Sequence, residues 1–316
     1  MRGRKATAPR TLPLGQRFPW IPGYLLMSPT LALMTAMLIA PLLALLVISF
    51  WTQAGFEFDT TPTLQRYWSL VEPGEGVTWM GIPFPFANPV YAILVLKSLF
   101  MSLVTTLAVI LLAYPMAYFL AFRVTRYKIL WLILITVPFW TSYLLRVFSW
   151  KIVLGFNGAI NSALMSVGLI DKPLEFLVYN MGAVVITLTH AWAAFAILPI
   201  YVSLDKIDRS LLEAATDLGD RPWQRFLRVT LPLSLPGTVS AALLVFIPTV
   251  GDYVTPSLVG GTGGTMIGNA IQNLFGKQND WPLGAAVSVV MMIIVGLVVL
   301  SFLWAIGYRE MRKRIA

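Results

Sequence analysis

Asp252 is the residue whose surroundings most call for chemistry. It lies in Phe246-Ile-Pro-Thr-Val-Gly-Asp-Tyr-Val-Thr-Pro256, where two prolines, a glycine and a carboxylate interrupt an apolar run. A carboxylate in hydrocarbon costs at least a few kcal/mol on insertion scales, so it should face a pathway, a partner or a gate. A cationic ligand would suit its charge. Two plainer roles stay open, an ion pair with a basic residue on another helix and a cap on the broken helix. Tyr253 adds a ring for cation–π or hydrogen-bond contact. Asp280 and Trp281, in Asn279-Asp-Trp-Pro282, are expected at an outer mouth.

Other reactive residue types lead nowhere as strong. The chain has no cysteine and one histidine, which leaves no cysteine-based metal site and little for zinc. His190 could relay protons, but a hydrogen bond to a neighbouring helix is the more ordinary use of such a residue. Gly260-Gly-Thr-Gly-Gly264 resembles a phosphate cradle, yet no lysine and serine or threonine follow it as a P-loop requires. No metal-ligand spacing and no nucleophile–base pair stands out, so no catalytic residue is expected and the chain reads as a non-enzyme.

The elements that must position Asp252 are membrane helices. Of 316 residues, 58% are hydrophobic and 12% charged, a composition that would be difficult to keep in solution. Six apolar runs, at 24–51, 92–122, 129–150, 181–203, 236–259 and 282–308, are each long enough to cross the bilayer, which takes roughly 20 helical residues. The first is too long for a secretory signal and is read as a retained span. Pro115 and Pro138 should kink the second and third. Arg146 and Lys151, near the end of the third, are expected to snorkel to headgroups, and Tyr143 and Trp150 to join an aromatic belt.

A net charge of +9 suggests nucleic acid, but the positions of the basic residues argue otherwise. Most of the 23 lysines and arginines cluster at the amino terminus, between the second and third runs, at 206–228 and in the tail. Positive charge beside spans fixes their orientation, so both termini and the 206–228 connection are expected in the cytoplasm. Residues 52–90, rich in proline, glycine and acid, should form a small external cap.

Residues 213–232 form a polar segment between apolar runs. Ser210 and Glu213 have capping-box spacing. Leu211, Leu212, Ala215 and Leu218 fall on one helical face, and Gly219 sits where a left-handed residue would end the helix. Asp220 and Pro222 suit the opening of a second short helix, which should stop before Pro232.

Glu213-Ala214-Ala215, Gly219 and Leu231-Pro232 resemble the EAA loop of ABC importer permeases. The resemblance runs from about residue 24 to 308. The outer segments, including Asp252-Tyr253, the Gly-Gly turn and Asp280-Trp281-Pro282, are similar to the spermidine and putrescine branch, although family members often carry glutamate where this chain has Asp252. It implies an all-α permease domain over 24–308 with a cytoplasmic coupling loop at 204–232, a basic segment at 1–23 and a basic tail at 309–316. It further implies an inner-membrane, non-catalytic subunit of an ATP-driven importer with polyamine cargo. Glu213, Ala214, Ala215, Gly219 and Pro232 would couple it to two copies of an ATPase. A sister permease and a periplasmic binding protein would be the other partners. The subunit would hold no cofactor of its own, with ATP and magnesium bound by the ATPase. Another small solute, such as an amino-acid derivative, iron or sulfate, is the alternative cargo, and a stand-alone secondary transporter the alternative class.

Overall fold

The computed structural model describes residues 21–315, with side chains from Leu26 to Trp304. The basic segment expected at 1–23 therefore lies almost wholly outside the described residues, as do the side chains of the tail at 309–316. Helix α1 spans Ile21–Ile48 and starts slightly before the expected run. Two antiparallel hairpins follow, β1 (Thr52–Ala54) with β2 (Glu57–Asp59) and β3 (Pro73–Trp79) with β4 (Ile82–Phe86), separated by helix α2 (Gln65–Val71). These hairpins occupy the segment expected to form a small external cap and add short strands to a mostly helical fold.

Helix α3 (Val90–Phe122) is unbroken despite Pro115. The third run behaves differently. It forms helix α4 (Lys128–Thr136), a 3-10 turn (Val137–Trp140) and helix α5 (Tyr143–Leu154), then the short helix α6 (Ala159–Ser166). The expected continuous span at 129–150 is thus corrected to a broken one, bent by 83°. Pro138 lies in the tight turn, and Thr141 and Ser142 then go extended, so the helical bond ladder cannot cross 140–143. Thr141 Oγ1 donates to the Pro138 carbonyl at 2.7 Å, satisfying one acceptor the break leaves open.

Helix α7 (Met181–Asp205) begins with Asn180, whose Oδ1 accepts from Ala183 N at 3.0 Å. The loop after it contains helices α8 (Arg209–Asp217) and α9 (Pro222–Arg225). A π turn (Phe226–Thr230) leads straight into helix α10 (Leu231–Val250). The second loop helix therefore does not stop before Pro232. Leu231 N donates five residues back to Phe226 O, and this widened register accommodates a ring that would clash in a regular α turn.

The fifth run also falls short of its expected 236–259 extent. Helix α10 ends at Val250, and only after an irregular stretch does a second π turn (Pro256–Gly260) form. Helix α11 (Ile267–Gly276) packs against α3 and against helix α12 (Trp281–Ile315), the last described element. Among the described residues, five helices are long and apolar enough to cross a membrane, or six if the bent pair is one span.

Helices α3, α7 and α10 form the centre. Val109, Ala113, Ala117, Ile197, Ile200, Leu204, Ala241 and Val245 are packed into one cluster with almost no exposure. Where hydrocarbon replaces water outside, dispersion and close approach hold helices together, which explains the small residues at the crossings. Gly237 marks the tightest one, since a Cβ there would lie 2.3 Å from Ser203 Cβ and 2.4 Å from Pro199 O. Helix α1 is exposed over nearly its whole length and touches the bundle chiefly through α12.

Candidate translocation and coupling sites

The break between α10 and the second π turn positions Asp252. Gly251 ends α10, and Asp252 then turns back on its own backbone, its Oδ1 accepting from Val254 N at 2.9 Å. Such a local turn is the usual role of aspartate where a helix stops. Oδ2 accepts from the Tyr143 hydroxyl at 2.5 Å, and that hydroxyl also lies 2.7 Å from Thr255 Oγ1. Only 9% of Asp252 is exposed. Among the described residues it makes no ion pair. Of the alternatives, capping is what the geometry displays, with the cap completed from another span. The carboxylate's negative charge is left without a cationic partner.

Tyr143 was expected in a headgroup belt, but it is directed to Asp252. Arg146 is likewise not a snorkelling side chain. Its guanidinium carbon lies 5.0 Å from the Phe139 ring centroid and 5.9 Å from that of Tyr143, and its Nη1 donates to Ala191 O at 3.3 Å. Trp192 leans on Tyr143 at 6.3 Å and on Phe195 at 5.3 Å. His190 stacks on Phe139 and meets Trp150 edge-on, so ring contacts stand where an interhelical hydrogen bond was expected. A wall of rings from the 3-10 turn, α5 and α7 thus adjoins the carboxylate. Sequence reasoning missed it, although Tyr143, Arg146 and Trp150 have the i, i+3, i+7 spacing of one helical face. Lys97 was also passed over, and it is buried in α3 at 8% exposure.

Tyr253 stands beside Asp252 with its side chain about half exposed, and its carbonyl accepts from Asn269 Nδ2 at 2.9 Å. Asp280 and Trp281 find different partners. Asp280 accepts from Leu283 N at 3.2 Å, capping α12, and lies 3.4 Å from Arg66 Nη1. Gln53 Oε1 accepts from Trp281 N, and the Trp281 ring packs edge-on against Phe58 and Phe275. This pair fastens the hairpin cap to the last long helix.

The loop at 204–232 is a second built feature. Asp208, not Ser210 with Glu213, caps α8, its Oδ1 accepting from Ser210 N at 3.0 Å. That bond and one from the Ser210 side chain hold its carboxyl below the usual carboxylate range. Gly219 has φ +89°. Gly219 N donates to Thr216 O, and Asp220 N to Ala215 O, the paired bonds of a Schellman ending. The two helices are then fastened by Arg225 to Thr216 Oγ1 at 2.8 Å and Arg228 to Asp220 Oδ1 at 2.6 Å.

The expected apolar stripe on α8 splits. Leu212 and Ala215 face the bundle, whereas Leu211 and Leu218 are exposed, as are Glu213, Ala214 and Trp223. Phe226 packs edge-on against Tyr114 and Tyr118 of α3, which seats the loop on the central helices. Pro232 is exposed just past the π turn. A rigid hairpin rooted in the core with an apolar outer face is suited to dock a partner and pass on its movement.

The spermidine/putrescine transport system permease protein PotB of Haemophilus influenzae is 35% identical to this chain over 263 residues, covering 83% of this chain and 86% of that protein. The protein of the same name from Escherichia coli K12 is 40% identical over 215 residues, 68% of this chain and 78% of its own. The fold is similar to that of a bacterial alginate ABC transporter solved with an alginate pentasaccharide-bound periplasmic protein. The TM-score is 0.63 and the identity 18%, over 91% of this chain and 94% of that one. The profile of the binding-protein-dependent transport system inner membrane components matches residues 25–313, and the chain belongs to that family.

Proposed function

We propose that this subunit carries polyamines, putrescine- or spermidine-like cations, through the inner membrane, with Asp252 as the charge they meet. The observation that carries this reading is a buried carboxylate in a helix break that has no ion-pair partner among the described residues and adjoins a wall of aromatic rings. An alkyl ammonium is matched by such a site, since the carboxylate balances its charge and ring faces attract it. The names of the relatives favour the same cargo.

In this reading a periplasmic binding protein delivers the cation, and a sister permease completes the path. Two ATPase subunits bind ATP and magnesium, while the permease performs no catalysis and holds no cofactor of its own. The loop at 204–232 and both termini lie in the cytoplasm, where Glu213, Ala214, Ala215, Gly219 and Pro232 serve the coupling. Movement of the ATPases pulls the Gly219 hairpin, and through Phe226 and the π turn the pull reaches α3 and α10. Because Asp252 lies two residues past the last residue of α10, one continuous path joins the hairpin to the proposed cation site. Tyr253 offers its exposed ring to the same path, and Asp280 and Trp281 hold the outer end in shape.

Uptake by the complete complex in proteoliposomes tests this. ATP-dependent accumulation of labelled putrescine or spermidine is expected. Accumulation of sulfate or an amino-acid derivative alone would replace the cargo, and uptake driven by an ion gradient without the ATPase would overturn the importer assignment.

A further inference from the structure

The aromatic wall beside Asp252 already holds a cation. Both ring distances to the Arg146 guanidinium, 5.0 Å to Phe139 and 5.9 Å to Tyr143, lie within cation–π range. Trp192, Phe195 and His190 extend the same wall through ring contacts with these two residues or with each other.

Little else keeps the guanidinium there. Its hydrogen bond to Ala191 O is long at 3.3 Å, and Nε is buried without a partner. Among the described residues it makes no ion pair. Arg146 is half-buried, and one long hydrogen bond with two ring contacts holds its guanidinium only weakly. Asp252 forms no ion pair with it; the Tyr143 hydroxyl and Val254 N donate to that carboxylate, and its negative charge stays without a cationic partner among the described residues. Tyr143 divides the site, with its ring toward Arg146 and its hydroxyl on Asp252.

We propose that Arg146 is a tethered competitor of the cargo: in the empty path its guanidinium occupies the aromatic seat next to Asp252, and an incoming alkyl ammonium displaces it. This rests on the cationic cargo proposed above. The exchange replaces one cation by another on the same ring faces, so the seat never stands without a positive charge. Arg146 then weakens cargo binding by the amount needed to expel it, which keeps a carrier site from holding its cargo too tightly to release it.

The competitor should become more reactive when it is expelled. In the wild-type complex of both permeases and the ATPase in lipid nanodiscs, modification of Arg146 by phenylglyoxal can be followed by peptide mass spectrometry. Putrescine is expected to accelerate it several-fold and sulfate to leave it unchanged. Putrescine that slows the reaction, or has no effect on it, overturns the proposal. A second measurement is binding of labelled putrescine to the same complex without the binding protein. Arg146→Gln should tighten it roughly fivefold, the order of one exposed cation–π contact, and Arg146→Lys should not. Unchanged or weaker binding by Arg146→Gln also overturns it. A complex that takes up putrescine while failing these tests refutes the competitor alone, whereas one that takes up no polyamine refutes the cargo and the competitor together.

Discussion

The Tyr143 hydroxyl donates to Asp252 Oδ2 at 2.5 Å, joining segments 109 residues apart at the two places where membrane helices are interrupted. Each break would be loose alone. Pro138 and the extended residues 141 and 142 free one, and Pro248, Gly251 and Pro256 free the other. Their meeting turns two irregular stretches into one supported site, as irregular backbone between membrane helices requires.

Tyr143→Phe tests that support. The ring and its contact with Arg146 are kept, while the carboxylate loses its donor from another span. Hydrogen bonds to charged groups are worth about 1.5–3 kcal/mol, so the variant complex should melt at a lower temperature and import cation several-fold more slowly. Thermal unfolding in nanodiscs and initial uptake rates check this, and wild-type values in both would mean the bond contributes nothing.

Asp252→Asn separates charge from shape. The amide can still receive the Val254 N–H and bond Tyr143, so the break should persist. Uptake of a dicationic substrate should fall at least about tenfold, the equivalent of 1.4 kcal/mol of lost charge attraction, while the amount of assembled complex stays close to normal. Full retention of uptake would assign Asp252 to capping alone.

Much of this arrangement was legible in the sequence. The disordered pattern of Pro248, Gly251, Asp252 and Pro256 marked an interrupted helix, and the +89° φ of Gly219 is the left-handed ending its place after Leu218 implied. What was not legible depends on which side of a helix meets another. In hydrocarbon, apolar residues face both lipid and neighbours, so hydrophobic periodicity says little about inward faces. For that reason Tyr143 and Arg146 were assigned to headgroups, and the continuity of α9 with α10 through a π turn was not anticipated. Asp208 was overlooked because Ser210 and Glu213 fit the capping pattern equally well in sequence, and only backbone geometry chooses between them.

The cap can be tested by substitution. Asp208→Ala removes the acceptor for Ser210 N, whereas Asp208→Ser retains one. Substrate-stimulated ATPase activity should fall a few-fold in the first and stay near normal in the second. Equal activity in both would show that the start of α8 needs no side-chain cap.

Gly219 admits the sharpest test of coupling. At φ +89° a β-branched side chain is strained, a cost on the order of 1–3 kcal/mol, and Gly219→Val would relieve it by unwinding the Schellman turn that sets α8 against α9. The hairpin stands at the edge of the bundle, and a Cβ at Gly219 would meet no atom within 4 Å, so packing of α3, α7 and α10 should be untouched. Insertion and assembly with the sister permease are therefore expected to be normal, while stimulation of the ATPase by loaded binding protein is lost. Gly219→Asn, which tolerates the left-handed region, should recover much of the stimulation. If Gly219→Val were stimulated like the wild type, movement would have to reach α10 by a route other than this hairpin.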